Sequence, residues 1–346
     1  MMRRSEAISI GNRVIGDGHP IFIIAEAGVN HDGSVQRAHA LIDAAAAAGA
    51  DAVKLQIVNA DASYVPGTPS YETFLHRALS EEAYEALRQH AADRHLMLLA
   101  TPADPPSLDL CGRLKLPALK ISSGLMTNTP LILRAAAQQV PLIISTGGAE
   151  LWEVARLVTT LEQAGVAHLA LLHCVSVYPT PPEAVSIRAV STLRATFPYP
   201  VGYSDHTLDS TACVCAAALG ATIIEKHLTL DRSLAGADHS ISAEPGEFQS
   251  LVRQLRVCSQ MLRNEGKHPA PEEADFRLRF RRRLVAARDI ARGERLTEAV
   301  VSIKRPLEPG GLDPGDLPLV IGRRATRAIR RHEPIGWDAL TERDDT

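Results

Sequence analysis

Eight short apolar runs between residues 21 and 226, each followed by a helical stretch, predict a (β/α)8 barrel, the TIM-barrel class of α/β fold. Two further observations agree. The runs are apolar along their whole length, as strands covered on both faces must be. Nearly every run also ends in a polar residue, as it would at the mouth of a barrel. An open doubly wound sheet is the rival, but no Gly-x-Gly-x-x-Gly follows the first run. A small β-rich module is expected after the barrel.

The runs are IFIIAEAG (21–28), DAVKLQ (51–56), LMLLAT (96–101), ALKISS (118–123), PLIIST (141–146), HLALLHC (168–174), PVGYS (200–204) and ATIIEK (221–226). The expected helices are 35–48, 81–94, 107–114, 131–138, 151–164, 187–196, 208–219 and 246–264. Around 267–282 the text turns to proline and charge, GKHPAPEEADFRLRFRR, which reads as a linker. The division expected is a barrel domain over 1–268, a linker over 269–281 and the small module over 282–346. The module's runs are broken by Arg-Gly-Glu, Pro-Gly-Gly and Pro-Gly, as in short strands joined by turns. At roughly 60 residues its core is marginal, so it is expected to dock on something.

Composition narrows the function. Hydrophobic residues make up 45% and charged residues 22% of the 346, ordinary for a globular protein. A net charge of −3 gives no reason to expect nucleic acid or an anionic membrane as partner. No stretch approaches about 18 uncharged apolar residues, so no transmembrane span is expected. The N-terminus turns polar too soon for a signal peptide. The five cysteines lie mostly in apolar runs and read as reduced thiols of a cytoplasmic protein.

The strand ends carry the chemistry. In order they present Glu26, Lys54 and Gln56, Thr101, Lys120 with Ser122 and Ser123, Ser145 and Thr146, His173 with Ser176, Ser204 with His206, and Glu225 with His227. A lysine inside VKLQ or LKISS breaks an apolar strand, and burying an unpaired ammonium is costly. One such lysine is as easily a satisfied ion pair. Two, with hydroxyls at matching heights, resemble a cradle for a phosphate and a carboxylate. His206 and His227 end two runs joined by one crossover helix, so both leave the sheet at the same end and can share a metal ion. Asp205, Lys226, Asp238, His239 and Glu244 surround them, a density of ionisable groups beyond that of a plain core.

The segments IIAEAGVNHDGSVQRAHALIDAAAAAGADAVKLQ, LLHCVSVYPTPPEAV, VGYSDHT and IIEKHLTLDRSLAGADHSISAEPGEF resemble the sialic acid (N-acetylneuraminate) synthase family. The C-terminal part resembles that family's antifreeze-like (SAF) domain. The resemblance covers nearly the whole chain. It implies condensation of phosphoenolpyruvate with an open-chain N-acyl amino sugar such as N-acetylmannosamine, giving a nonulosonic acid and phosphate. It also implies a divalent metal, Mn2+ first and Mg2+ or Co2+ as alternatives, and a dimer in which the small domain reaches the partner's barrel.

Position by position, His206 and His227 match the family's metal ligands. Lys54, Thr101, Lys120, Ser123, Ser145 and Ser204 match residues that hold phosphoenolpyruvate, and Ser176 a further contact that is often asparagine. Glu26, Glu225 and Asp238 match acidic residues near the reacting carbons and the sugar. Tyr178 lies in the same motif as Ser176. Arg305 matches the region that caps the partner's sugar pocket. The segment after Gln56 is shorter than the family norm, and Leu125 stands where an acidic residue is common. Physically, the lysines and hydroxyls would orient phosphoenolpyruvate while Glu26 or Glu225 takes a proton from water. Two other readings fit the same residues: a 3-deoxy-ulosonate phosphate synthase with the same chemistry on another aldose, and a non-catalytic sugar-binding relative.

Overall fold

The computed structural model describes residues 6–263 and 266–342. Residues 1–5 of the basic N-terminus, Asn264 at the end of the eighth expected helix, and residues 343–346 of the small module lie outside these. The chain divides into two compact units, 1–264 and 265–346.

The first unit opens with a hairpin, β1 (Ile8–Ile10) and β2 (Arg13–Ile15), paired antiparallel across Gly11 and Asn12. Eight parallel strands follow: β3 (Phe22–Gly28), β4 (Ala52–Ile57), β5 (Met97–Pro102), β6 (Leu119–Ile121), β7 (Leu142–Ser145), β8 (Leu169–Cys174), β9 (Val201–Asp205) and β10 (Ile223–His227). They close in sequence order, with β10 paired to β3. The barrel expected from the eight apolar runs is the observed fold.

Between strands run α1 (Val35–Ala48), α2 (Ala60–Ser63), α3 (Pro69–Leu75), α4 (Glu81–Asp93), α5 (Pro105–Arg113), α6 (Thr129–Ala136), α7 (Leu151–Gln163), α8 (Ala189–Thr196) and α9 (Thr211–Ala218), and α10 (Pro245–Met261) follows β10. Sequence sets their ends. Ser34 caps α1 by accepting from Arg37 N, and Gly49 stops it in the left-handed region at φ +83°. Glu244 opens α10 in a reciprocal capping box with Glu247, with Pro245 in the first turn. The ninth helix starts at Thr211 rather than Leu208, because Asp209 Oδ1 takes Thr211 N in a turn.

Two apolar layers hold this unit. The outer one packs helices such as α1, through Leu41, Ile42 and Ala45, on the outward faces of the strands. The inner one fills the lower barrel with Phe22, Ile24, Leu99, Ile143, Leu172 and Ile223, closed beneath by Ile8, Ile10 and Ile15 of the hairpin. Above it the inward positions turn polar. Alternation along a strand therefore puts Glu26, Lys54, Glu225 and His227 over a dry floor.

The second unit has its own core, including Leu284, Leu296, Val320, Ile329 and Ile335. It contains α11 (Ala274–Phe280), β11 (Arg283–Ala286) paired antiparallel with β12 (Val301–Lys304), and α12 (Leu317–Val320). The stretch read as a plain linker thus holds a helix, α11, whose Asp275 and Arg279 pair at i,i+4.

Candidate active site

The barrel mouth gathers a buried set of opposite charges. Lys54 Nζ lies 2.7 Å from Glu26 Oε2 and 3.5 Å from Glu225 Oε2, and it donates to Thr101 Oγ1 at 3.1 Å. Lys120 Nζ lies 3.3 Å from Glu225 Oε1. Ser204 Oγ donates to the same oxygen at 2.9 Å, and Gln56 Nε2 donates to Glu26 Oε1 at 3.1 Å. All four charged side chains are buried. Burial opposes the charge on Lys54, but Glu225 and Glu26 outweigh it and the pKa is raised. For Lys120 burial wins over Glu225, and the pKa is lowered. Burial also opposes the charge on Glu225, yet Lys120 and Lys54 hold its carboxyl well below the usual range. Two lysines against two glutamates leave the set neutral.

The histidines sit beside it. His227 is the register partner of Glu26, and its ring centroid is 5.3 Å from that of His206. His206 Nδ1 lies 2.8 Å from the carbonyl of Val175. A carbonyl only accepts, so Nδ1 is the donor, and in the neutral ring Nε2 is the nitrogen left to bind a metal. His227 Nδ1 is buried without a hydrogen-bond partner, and Asp238 Oδ2 stands 3.7 Å away. An orphaned buried imidazole nitrogen beside a second imidazole with a free lone pair suits a divalent ion. Among the described residues no group of three or more His, Cys, Asp or Glu is arranged to hold one. The protein would then supply two ligands and leave the other positions open. The ring of Tyr178 lies over His206, centroids 4.1 Å apart.

The hydroxyls form a second wall. Ser123 Oγ accepts from Gly147 N at 3.0 Å. A Cβ on Gly147 would come within 2.4 Å of Ser176 Oγ and 2.7 Å of Ser123 Oγ, so the glycine lets both serines approach. Ser145 Oγ is buried and has no partner. Arg305 belongs to the second unit, where its Nε donates to the carbonyl of Arg279 and its guanidinium stacks 4.0 Å over Phe280.

The crowd of charge read around the histidines separates into parts. Asp205 and Lys226 alternate away from the mouth and pair at 2.6 Å, with Tyr203, Thr207 and Cys213 also on Asp205. That is a satisfied structural pair. His239 bonds Asp32, and Glu244 caps a helix. Sequence reasoning passed over Cys174 as a core thiol. Burial opposes its thiolate, but His206, Ser123 and Lys120 outweigh this and lower its pKa, because it ends β8 on the inward face. The alternation Ala170, Leu172, Cys174 carried that signal. Gly147 left none beyond its place after the seventh run. A mostly apolar cleft of about 530 Å³, lined by Pro179, Val185, Leu208 and Cys215 among others, lies beside these loops rather than at the charged set.

Residues 41–267 match the NeuB family, and residues 281–341 match the SAF domain. The chain belongs to the NeuB family. One relative, an uncharacterized protein of Methanocaldococcus jannaschii, is 40% identical over 97% of this chain and 99% of its own length. The N,N'-diacetyllegionaminic acid synthase of Legionella pneumophila is 35% identical over 94% of this chain and 96% of its own. The structure of N-acetylneuraminic acid (sialic acid) synthetase from Leptospira borgpetersenii, in complex with citrate, aligns with a TM-score of 0.76. It is 33% identical and covers 80% of this chain and 96% of that one. This NeuB chain is an enzyme, as its synthase relatives are. No helix among the described residues is long and apolar enough to cross a membrane.

Proposed function

We propose that this NeuB chain condenses phosphoenolpyruvate with the open-chain aldehyde of an N-acyl amino sugar, releasing phosphate and forming a nonulosonic acid. The observation that carries the reading is the pair of buried lysines beside two buried histidines, with Ser145 Oγ and His227 Nδ1 left without a hydrogen bond. Unsatisfied buried polar atoms cost about 1–3 kcal/mol each, so their presence at one mouth supports a ligand there.

Lys54, Lys120, Thr101, Ser123, Ser145, Ser176 and Ser204 are read as the phosphoenolpyruvate cradle. A divalent ion on His206 and His227, Mn2+ first with Mg2+ or Co2+ as alternatives, would polarise the aldehyde oxygen and supply the positive charge that the balanced lysine–glutamate set lacks. The methylene carbon of phosphoenolpyruvate bonds to the aldehyde carbon, water adds at C2, and phosphate leaves as the keto group forms. Glu26 is the better base for the water proton. Both carboxylates are held, but Glu225 faces two lysines and Ser204 while Glu26 faces one lysine and Gln56, and Glu26 is the strand neighbour of His227.

Asp238 and Tyr178 are assigned to the sugar. Residues 57–76 contain no lysine or arginine, and Arg77, which follows in the same loop, is engaged with Asp32 and the carbonyl of Thr73, so that loop offers a phosphate on the acceptor no uncommitted cation. An unphosphorylated N-acetylmannosamine or diacetamido hexose fits better. The small domain is assigned to a partner subunit's pocket through Arg305, in a swapped homodimer, and five unpaired cysteines suit a cytoplasmic enzyme. Phosphate release from phosphoenolpyruvate, with Mn2+ and a panel of 2-acylamino hexoses, tests the reading. Absence of release with every sugar, phosphorylated ones included, rejects it.

A further inference from the structure

Asp238 reaches the mouth from a long loop, and what holds that loop is a motif outside the chemistry. After β3 the chain reads Val-Asn-His-Asp-Gly, 29–33. Asn30 is buried, and its Nδ2 donates to the carbonyl of Leu228 at 2.9 Å and to Ser242 Oγ at 3.0 Å. Ser242 Oγ in turn donates to the carbonyl of Asp238 at 2.6 Å. Asp32 accepts from His239 Nε2 at 2.9 Å, and buried His239 touches Thr229 Oγ1 through Nδ1 at 2.7 Å. His239 and Ser242, the residues that anchor the chain just after Asp238, are thus held from two sides by one short motif.

Asp32 holds more than that loop. Arg77 Nε donates to its Oδ1 at 3.2 Å, and Arg37 pairs with its Oδ2. Arg77 also donates to the carbonyl of Thr73 in α3, in the segment that follows β4. One carboxylate therefore ties three loops of the mouth together. The approach is close enough to require glycine. A Cβ on Gly33 would lie 2.7 Å from His76 O, and one on Gly236 would lie 2.5 Å from His239 Cδ2 and 3.2 Å from Asp32 Oδ1. Asp32 itself adopts φ +47°, a conformation Asp accepts better than most side chains. Asp238 is delivered to Gly28, where its Oδ2 converges with Glu26 Oε1 and Gln56 Nε2.

We infer that Asn30 and Asp32 form a two-point brace that positions Asp238 for acceptor binding. The inference rests on the proposed function, in which Asp238 faces the sugar. Asn30 and Asp32 are positioning residues, since neither is placed against the reacting atoms.

The test compares Asp32→Ala, His239→Asn and His239→Gln in the full-length enzyme. Glutamine can keep a donor where Nε2 meets Asp32, whereas asparagine is too short to reach it. With phosphoenolpyruvate, Mn2+ and N-acetylmannosamine or a diacetamido hexose, Asp32→Ala and His239→Asn should raise the sugar KM roughly tenfold or more. The phosphoenolpyruvate KM should stay within about twofold and His239→Gln within about threefold of wild type. Hydrogen exchange of amides 231–241 should quicken in the first two variants alone. Equal rises in both KM values, or His239→Gln as impaired as His239→Asn, would overturn the brace. So would unchanged exchange over 231–241 in Asp32→Ala, whatever the activity. If Asp32→Ala does not fold, the His239 pair decides by the same exchange. A wild-type enzyme that releases no phosphate would reject the reaction instead, leaving the exchange result to judge the brace.

Discussion

Replacing Lys54 by methionine keeps the aliphatic stem and removes one charge from the buried set. Glu26 then loses a cation at 2.7 Å and keeps only Gln56 Nε2 at 3.1 Å, while Glu225 keeps Lys120 at 3.3 Å. At an effective dielectric of about 20 the lost attraction to Glu26 alone is about 6 kcal/mol, part of which desolvation of the ammonium offsets in the native enzyme. Breaking one partner out of such a pair costs about 3–5 kcal/mol net. For a barrel of this size that lowers Tm by roughly 6–20 °C. Adding Glu26→Gln removes the stranded carboxylate, so urea unfolding of the double variant should recover at least about 2 kcal/mol relative to Lys54→Met. Calorimetry supplies the functional arm. Both variants should bind phosphoenolpyruvate about ten- to a hundredfold more weakly, because the charge-assisted contact is gone from each. Stability would return without binding. If Lys54→Met unfolds within about 1 kcal/mol of wild type, or Glu26→Gln adds a further loss, the pairing argument fails. If phosphoenolpyruvate binding is unchanged, the cradle is elsewhere.

Three other outcomes are expected. Calorimetry with Mn2+ should show binding to the wild-type enzyme and little to His206→Ala or His227→Ala, and EDTA should abolish phosphate release; full activity of metal-free protein would remove the metal from the scheme. His31 is fully buried, with Nδ1 accepting from Gly33 N, and burial, opposed by Asp32, lowers its pKa to about 4. The unfolded chain then binds more protons than the native one between about pH 6.5 and 4, so stability rises with pH there and about 3 kcal/mol is lost on acidification. His31→Asn, which can still accept from Gly33 N, should flatten that part of the urea-midpoint profile, and an unchanged slope would contradict it. Arg305→Ala should raise the sugar KM and spare that of phosphoenolpyruvate. Mixing it with His206→Ala subunits should restore activity in a swapped dimer, since one site of each mixed pair is intact, whereas a recovery no better than the average would mean that each chain caps itself.

The barrel was legible in the sequence because its signals are local and repeated. Eight apolar runs, each with a polar C-terminal end, need no long-range information, and the capping residues Ser34 and Glu244 mark helix starts on their own. The hairpin was equally local, two triplets with two β-branched residues each around Gly11-Asn12, but each is only three residues long and falls below the length at which a run stands out. The approach of His206 to His227 followed from one crossover connection. What a sequence could not supply was direction and partnership. Asp205 and Lys226 are adjacent in the text to His206 and Glu225, yet one step along a strand turns a side chain to the opposite face, so they pair away from the mouth. Whether Lys54 and Lys120 stand free or paired depends on the β3–β4 register, which sets Glu26 beside Lys54, and on barrel closure, which brings Glu225 of β10 to both lysines. The tie from Asp32 to His239 spans some two hundred residues, and no local pattern announces a contact that closure of the last strand on the first creates.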